Sequence, residues 1–437
     1  MLNIKSRADN TPEFIRLLFT SPLGSTRMIE ITYDRMNELN EYGIFFDGSS
    51  VPGYARVNSS DLLLVPSSER RVQPPWDNEV VVVPCSVYKT PKQRHPCDPQ
   101  GILEGVVKKA EEEGLYLFVG CELEFFLVNE DEEASISPAD NGGYFSVIPA
   151  DNGLYFRRKV IRALTSMGIE TTAHHHEVAE GQHEIGIRYN NASTTADDIM
   201  LTKLAVAEMA HKQGLVATFM PKPFQRQNGS GFHIHQSLWD RTQSTNLFAD
   251  GAGKGLSRIA RYYIGGLLRH APALTAILAP TVNSFKRLRP GYEAPTRIAW
   301  GPQNRTGMIR IPATSGVQED ARIECRCPDP SCSPYLAFAA MLAAGIHGIQ
   351  EHIEPPEPTC DNLFEGESTT DLLPTSLPNA LAELKKDRLL KEALGHQLVD
   401  MIIELRSSEW ERYKKRIELG GEDRITSWEI EEYLRAA

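Results

Sequence analysis

From Leu115 to Val128 the chain reads LYLFVGCELEFFLV, an apolar run of strand-forming residues interrupted by two carboxylates, Glu122 and Glu124. Successive side chains of a strand alternate between faces, so residues at i and i+2 share one face. A carboxylate on a buried strand face costs several kcal/mol unless it is paired or bound to a cation. The chain must therefore fold with this face in solvent, or else around something positive. A single Glu-x-Glu pair usually means the former, so the choice depends on what else the sequence brings to that face.

Two other segments are built to meet it. His174-His175-His176-Glu177-Val178-Ala179-Glu180-Gly181-Gln182-His183-Glu184 is dense in groups that ligate metals. Its plain alternative is a polar loop. Asn228-Gly229-Ser230-Gly231-Phe232-His233-Ile234-His235 is a Gly-rich turn entering a strand, with His233 and His235 on one face. Taken alone, such a pair is more often two hydrogen-bonded histidines. Together the three segments suggest a hard-cation site, since carboxylates and imidazole without thiols suit Mg²⁺ or Mn²⁺ better than Zn²⁺. A carboxylate cage for two such ions is what phosphoryl transfer requires.

Composition sharpens this. The chain has 437 residues, enough for two domains, and 58 acidic against 46 basic residues give a formal charge of −12. That balance argues against a general nucleic-acid binder, which needs surplus Lys and Arg. Locally the sign reverses: Lys286, Arg287, Arg289, Arg297, Arg305 and Arg310 fall in one stretch with a single acid, Glu293, and Arg322 and Arg326 then flank Glu324. Guanidinium forks match phosphate and carboxylate oxygens, although scattered arginines on a solvated face are the default for such a run. No P-loop or dinucleotide-binding glycine pattern is present to hold a nucleotide. No apolar run is long enough to span a bilayer, and the opening MLNIKSRADNTPEF lacks the apolar core of a signal peptide. Seven cysteines with no zinc-ribbon spacing point to reduced thiols in a cytoplasm.

The order of elements predicts an α+β chain. MIEITY, GIFFDG, DLLLVPS and EVVVVPC read as short strands near the N-terminus. TPKQRHPCDPQG (90–101) then breaks the pattern as a linker. ILEGVVKKAEEEG, LYFRRKVIRALTSMG and TTADDIMLTKLAVAEMAHKQG read as helices ending at Gly, the last opening on Thr and Asp as caps. SRIARYYIGGLLRHAPALTAIL is a further helix, the chain is helical from about 376, and TSWE (426–429) is a capping-box pattern. The expected division is a small β-rich domain over 1–97 and a large mixed domain over 98–437.

FFDGSS, GCELEFF, GGYFSVIPAD, HHHEVAEGQHEI, NGSGFHIHQS, NSFKRLRPGYEAP, NRTGMIRIP and RIECRCPDPSCSPYLAFAAMLAAG occur in this order from about 45 to 345. They resemble the successive signature blocks of type I glutamine synthetase. The resemblance implies an N-terminal β-grasp-like domain, a larger catalytic domain and a dodecamer of two stacked hexamers, with active sites between neighbouring subunits. It implies that ATP phosphorylates the side-chain carboxylate of glutamate and that ammonia then displaces phosphate. By position it assigns Glu124, Glu177 and Glu184 to one metal ion and Glu122, His233 and Glu324 to a second. Asn228, Gly229, His233, Arg287 and Arg326 would hold glutamate or the transferred group. Arg305, Arg310 and Arg322 would face phosphates, with His235 and Ser237 along the nucleotide. Asp47, Ser50, Tyr144, Glu177 and Glu293 would form the ammonium pocket, with Asp47 as proton acceptor and Glu293 on a flap that excludes water; Asp47, Glu293 and Arg305 are the expected catalytic groups.

The chain departs from the family pattern at Glu180, where a small residue or Pro is usual, and at Val51-Pro52 after FDGSS. Phe364 replaces the Tyr adenylylated in the longer bacterial subtype, so that control is not expected, whereas Arg56 matches the position of glutamine feedback in the shorter subtype typical of archaea and Gram-positive bacteria. A PII-type signalling protein or 2-oxoglutarate could act on such an enzyme. The rival readings are a γ-glutamyl ligase of the same fold acting on a larger amine, and a non-enzymatic structural relative. The former typically loses the DGSS element or the acidic pocket; the latter should show broken ligands.

Overall fold

The computed structural model describes residues 12–132, 135–250, 255–365, 369–417 and 424–436. The first eleven residues, which bear on the signal-peptide reading, and two residues of the NLFEGE segment lie outside them.

The N-terminal sheet is built from β1 (Phe14–Thr20), β2 (Thr26–Thr32), β3 (Ile44–Asp47), β4 (Asp61–Pro66), β5 (Val80–Thr90) and the short β6 (Gln93–Arg94), with α1 (Met36–Tyr42) before β3. Its order is β2-β1-β5-β4-β3, with β6 on β5. The β1–β5 pair is parallel and the other pairs are antiparallel. β1, FIRLLFT, was not among the strands read from pattern. It is buried along nearly its whole length, and a strand covered on both faces shows no alternation to read. The segment 90–101 is packed rather than slack. His95 and Asp98 are buried, and Asp98 caps the next helix by accepting from Gly101 N at 3.0 Å. It also pairs with Arg94 Nε at 2.7 Å.

The second sheet comprises β7 (Tyr116–Glu130), β8 (Ile136–Pro138), β9 (Thr171–His176), β10 (Gln182–Asn191), β11 (Val216–Thr218), β12 (Phe232–Trp239), β13 (Trp300–Pro302), β14 (Ile309–Ile311) and β15 (Ile323–Cys325). Its main path runs β13-β14-β15-β12-β7-β10-β9. The run that bears Glu122 and Glu124 is thus a central strand. The His-rich segment is a hairpin of β9 and β10, not a loop.

One face of this sheet is packed by α2 (Pro99–Glu112), α3 (Leu154–Ser166), α4 (Ala192–His211), α5 (Arg258–Leu278) and α7 (Pro334–Gln350), with α6 (Ser284–Arg287) a single turn between sheet and core. α7 is apolar all round and buried almost throughout, as a helix at the centre of a large core must be. α8 (Leu377–Lys386), α9 (Arg388–Leu394), α10 (His396–Lys414) and α11 (Ser427–Tyr433) close the chain. The N-cap of α4 is Asn191, whose side chain accepts from Thr194 N at 2.9 Å, rather than the Thr and Asp that follow; Asn bonds the first free N–H groups as well as either. The capping box of Thr426 and Glu429 is formed. No helix among the described residues is long and apolar enough to cross a membrane.

Candidate active site

Cross-strand register assembles the polar face. Opposite Glu122 on β7 stands His233 on β12, and opposite Glu124 stands Glu184 on β10. Outward from these, His175 on β9 faces Glu184, Glu324 on β15 faces His235, and Arg310 on β14 faces Glu324. Alternation puts all of them on the side away from the helical core. The intervening residues of the same strands, Cys121, Leu123, Phe125, Ile185, Ile234 and Cys325, are buried on the other side. The sheet is therefore apolar below and charged above.

Over this face lies a cleft of ≈ 280 Å³ that gathers Glu122, Glu124, Tyr144, Glu177, Glu184, Asn228, Gly229, His233, Arg287, Glu293, Arg305, Arg310 and Arg326. A second cleft of ≈ 320 Å³ holds His235, Ser237 and Arg322 and has Glu122 on its wall. Glu122 thus stands between two compartments. Glu324 lies beneath, fully buried. Gly231 lets the backbone pass close to the site, because a Cβ there would sit 2.7 Å from His233 Nε2 and 3.1 Å from Glu124 Oε1.

Asp47, Ser50 and Arg56 lie elsewhere. All three are exposed on the N-terminal domain and line neither cleft. The Asp47 carboxylate accepts from Ser49 N at 2.9 Å and from Ser50 Oγ at 2.7 Å. The hydrogen bonds from Ser49 and Ser50 hold it below the usual carboxylate range, so it is an anion at the exposed C-terminal end of β3.

The charges are unevenly compensated. Burial tends to raise the Glu122 carboxyl, but hydrogen bonds from His233 Nδ1 and His235 Nε2, both at 3.0 Å, outweigh it and hold Glu122 low. Burial likewise opposes ionisation of Glu324, yet it stays at about 2 because Arg326 lies against it. Arg326 Nη1 donates to Glu324 Oε1 at 2.6 Å, and Arg310 binds the other oxygen. Among the described residues Glu184 has no guanidinium against it, only His175 Nδ1 at 3.7 Å. Burial first, then the negative charges of Glu122, Glu124, Glu177 and Glu324, push it far upward. Glu124 is raised by burial and by Glu177.

This surplus of negative charge is the test of whether the residues fit divalent cations, and they do. The donors are carboxylate oxygens and imidazole nitrogens, and no thiol is among the converging ligand atoms. Such a set suits a hard ion, and ions placed there would relieve the burden on Glu184. The ligand atoms that converge are Glu122, Glu184 and His233; Glu122, His235 and Glu324; and His175, Glu177 and Glu184. Glu124 is instead engaged by Gln182 Nε2 at 2.8 Å and Gly231 N at 2.9 Å. Two participants were not picked out from sequence. His175 contacts Glu177 at 2.7 Å and approaches Glu184 to 3.7 Å, and Gln182 bonds both Glu124 and Gly229 O. Both belong to the dense ligand segment, but only the hairpin register shows which of its members face the cleft.

Two family profiles match the chain, "Glutamine synthetase, beta-Grasp domain" over residues 11–90 and "Glutamine synthetase, catalytic domain" over 96–433. The chain belongs to the glutamine synthetase family. A glutamine synthetase of Pyrococcus abyssi is 43% identical, the match covering 99% of this chain and 98% of that one. Those of Methanocaldococcus jannaschii and Thermotoga maritima are 40% and 41% identical, covering 97% and 96% of this chain and 96% of each relative. Among solved structures, GmaS in complex with ADP superposes with a TM-score of 0.85 at 31% identity, covering 97% of both chains. The fold is thus a β-grasp domain followed by a glutamine synthetase catalytic domain, as the resemblance implied.

Proposed function

We infer that the chain is a glutamine synthetase, an ATP-dependent glutamate–ammonia ligase. The observation that carries this reading is the pair of clefts sharing Glu122, one rimmed by arginines and carboxylates and the other by His235, Ser237 and Arg322, in a chain of this family. Divalent cations, Mg²⁺ or Mn²⁺, when bound by the carboxylate and imidazole set, neutralise phosphate charge during transfer. Glu122, Glu124, Glu177, Glu184, His233 and Glu324 are the proposed ligands, with His175 and His235 beside them.

The chain's own groups divide the remaining work. ATP lies in the cleft of His235 and Ser237 with its phosphates toward Arg305, Arg310 and Arg322. Glutamate lies in the other cleft against Asn228, Gly229, His233, Arg287 and Arg326. The arginines offset charge developing on the transferred phosphoryl group, a contribution that is large in a site closed to water. Ammonium is drawn by negative groups, Glu177, Glu293 and Asp47, and must then lose a proton to become a nucleophile. Tyr144 and Ser50 complete its pocket, and Glu293 on its exposed segment shields the acyl phosphate from water. Asp47 and Ser50 line neither cleft of their own chain, which supports their serving the site of a neighbouring subunit in a ring assembly; a dodecamer is the proposed form. We further propose a cytoplasmic enzyme divided at about residue 97, with Arg56 in glutamine feedback, no adenylylation at Phe364 and a PII-type protein as regulator.

Phosphate release from ATP with Mg²⁺ and glutamate, compared across ammonium, methylamine and putrescine, tests the reading. Release driven by ammonium, with glutamine as product, is expected. Preference for an alkylamine would make the chain a different γ-glutamyl ligase, and no release with any acceptor from an assembled, metal-loaded protein would remove the enzymatic assignment.

A further inference from the structure

The back of the β9–β10 hairpin holds a second cluster that catalysis does not use. Neighbours along a strand point opposite ways, so His176 and His183 face away from the cleft that Glu177 and Glu184 face. Both rings are fully buried, their centroids are 4.9 Å apart, and Asp140 reaches both. Two imidazoles and a carboxylate invite a metal reading, but the protons oppose it. Arg157 Nη1 donates to His183 Nδ1 at 2.7 Å, so the neutral ring keeps its proton on Nε2 and has no lone pair there for an ion. Arg157 also sets a full positive charge beside the cluster, paired with Asp151 at 2.6 Å.

The geometry is that of a latch. Asp140 Oδ1 accepts from His176 Nε2 and from Gly181 N, both at 2.9 Å. Its Oδ2 accepts from Asn152 N at 3.1 Å and Gly153 N at 3.3 Å. One carboxylate therefore joins the start of the loop 140–153, the end of that loop and the turn of the hairpin. His176 continues the chain of contacts, its Nδ1 lying 2.7 Å from Glu177 O and its carbonyl accepting from Phe145 N at 3.1 Å. Gly142 lies flat against the same ring, where a Cβ would come within 2.5 Å of His176 Nε2. At the tip of the loop, Tyr144 and Phe145 stand over His175 at 5.4 and 4.8 Å between centroids, beside Glu177.

We propose that Asp140 is a positioning residue: by clamping both ends of the 140–153 loop to the back of the hairpin, it sets where Tyr144 and Phe145 stand over the end of the cleft that receives the amine. The proposal deepens the glutamine synthetase reading and rests on it. Asp140→Asn has only one acceptor oxygen and cannot serve both sets of N–H donors. Each oxygen serves two donors, and even one lost hydrogen bond to a charged acceptor corresponds to about a tenfold effect. The KM for ammonium should therefore rise about tenfold, while KM for glutamate and ATP and kcat stay within about threefold. Gly142→Ala, which presses the loop off His176 without touching Asp140, should give the same selective rise and covers the case of an Asp140 variant that does not fold. Limited proteolysis within 140–153 should speed up in both variants whatever amine the enzyme uses. An unchanged ammonium KM, or an equal rise in all three KM values with a lower melting temperature, would overturn the positioning role. If the wild type shows no ammonium-dependent turnover, the functional reading fails, and the proteolysis then decides the latch alone: unaltered cleavage overturns it.

Discussion

Asp197 and Asp198 are adjacent on α4, both buried, and differ in one respect. Asp198 faces Arg70 at 2.7 Å, whereas Asp197 has the hydroxyl of Tyr335, donating at 2.6 Å. Burial raises the Asp197 carboxyl to about 6, more than the Tyr335 hydrogen bond can offset. A raised carboxyl stabilises the fold fully below the unfolded value near 3.8 and loses that contribution as pH rises through about 6. Above this window the buried charge costs about 3 kcal/mol relative to the protonated form. Asp197→Asn should therefore raise the melting temperature at pH 7.5 and by about half as much at pH 5, which lies inside the window. Equal shifts at both pH values would show that Asp197 titrates normally. This residue also marks a limit of reading from sequence, because nothing in TTADDIM tells which of its two acids meets a cation. Glu122 and Glu124 were legible because they interrupt an apolar run. His175 and Gln182 were not, since their partners are fixed by the register of β9 and β10, which pattern alone does not give.

At the scale of elements, α11 was legible in its start but not in its purpose. The TSWE capping box is local, and its reciprocal bonds form as read. The burial of Glu429 is not local. Its carboxylate is completely enclosed, pairs with buried Lys286 and accepts from Asn283 Nδ2 at 2.8 Å. Asn283 and Lys286 bracket the turn of α6 that leads into Arg287. Just before the helix, Ile425 N donates to Gln225 Oε1 at 2.7 Å, three residues ahead of Asn228. The terminal helix thus braces two segments that line the cleft. Removing one member of a buried ion pair costs about 3–5 kcal/mol because the other charge is stranded, while replacing both with apolar groups is often near neutral. Glu429→Met alone should lower stability by about that amount in urea denaturation, and adding Lys286→Met should restore most of it. A double variant no more stable than the single one would mean that the capping role of Glu429, not the pair, holds the helix.

On the scale of the whole molecule, the Asp47 end of β3 lines neither cleft of its own chain. β3 is an edge strand; Phe45 on it is 66% exposed, and the Asp47 carboxylate at its C-terminal end is exposed and held low by its serine partners. The lining of the cleft over the second sheet does not include it. The FFDGSS motif was recognisable in the sequence, but only the family resemblance assigned it to the site of an adjacent chain, because a motif shared between chains looks the same as one used within a chain. If each site joins the cleft of one subunit to the Asp47 loop of another, Asp47→Ala and Glu177→Ala should each be inactive alone. Co-assembled in equal amounts, half of the clefts keep Glu177 and half of the loops keep Asp47, so about a quarter of the sites regain both in a closed ring. Ammonium-dependent phosphate release from co-expressed variants should therefore recover to about a quarter of the wild-type rate, while the same variants assembled separately and then mixed stay inactive. Sites contained within single chains would recover nothing under either protocol, since every cleft would still carry one of the two lesions.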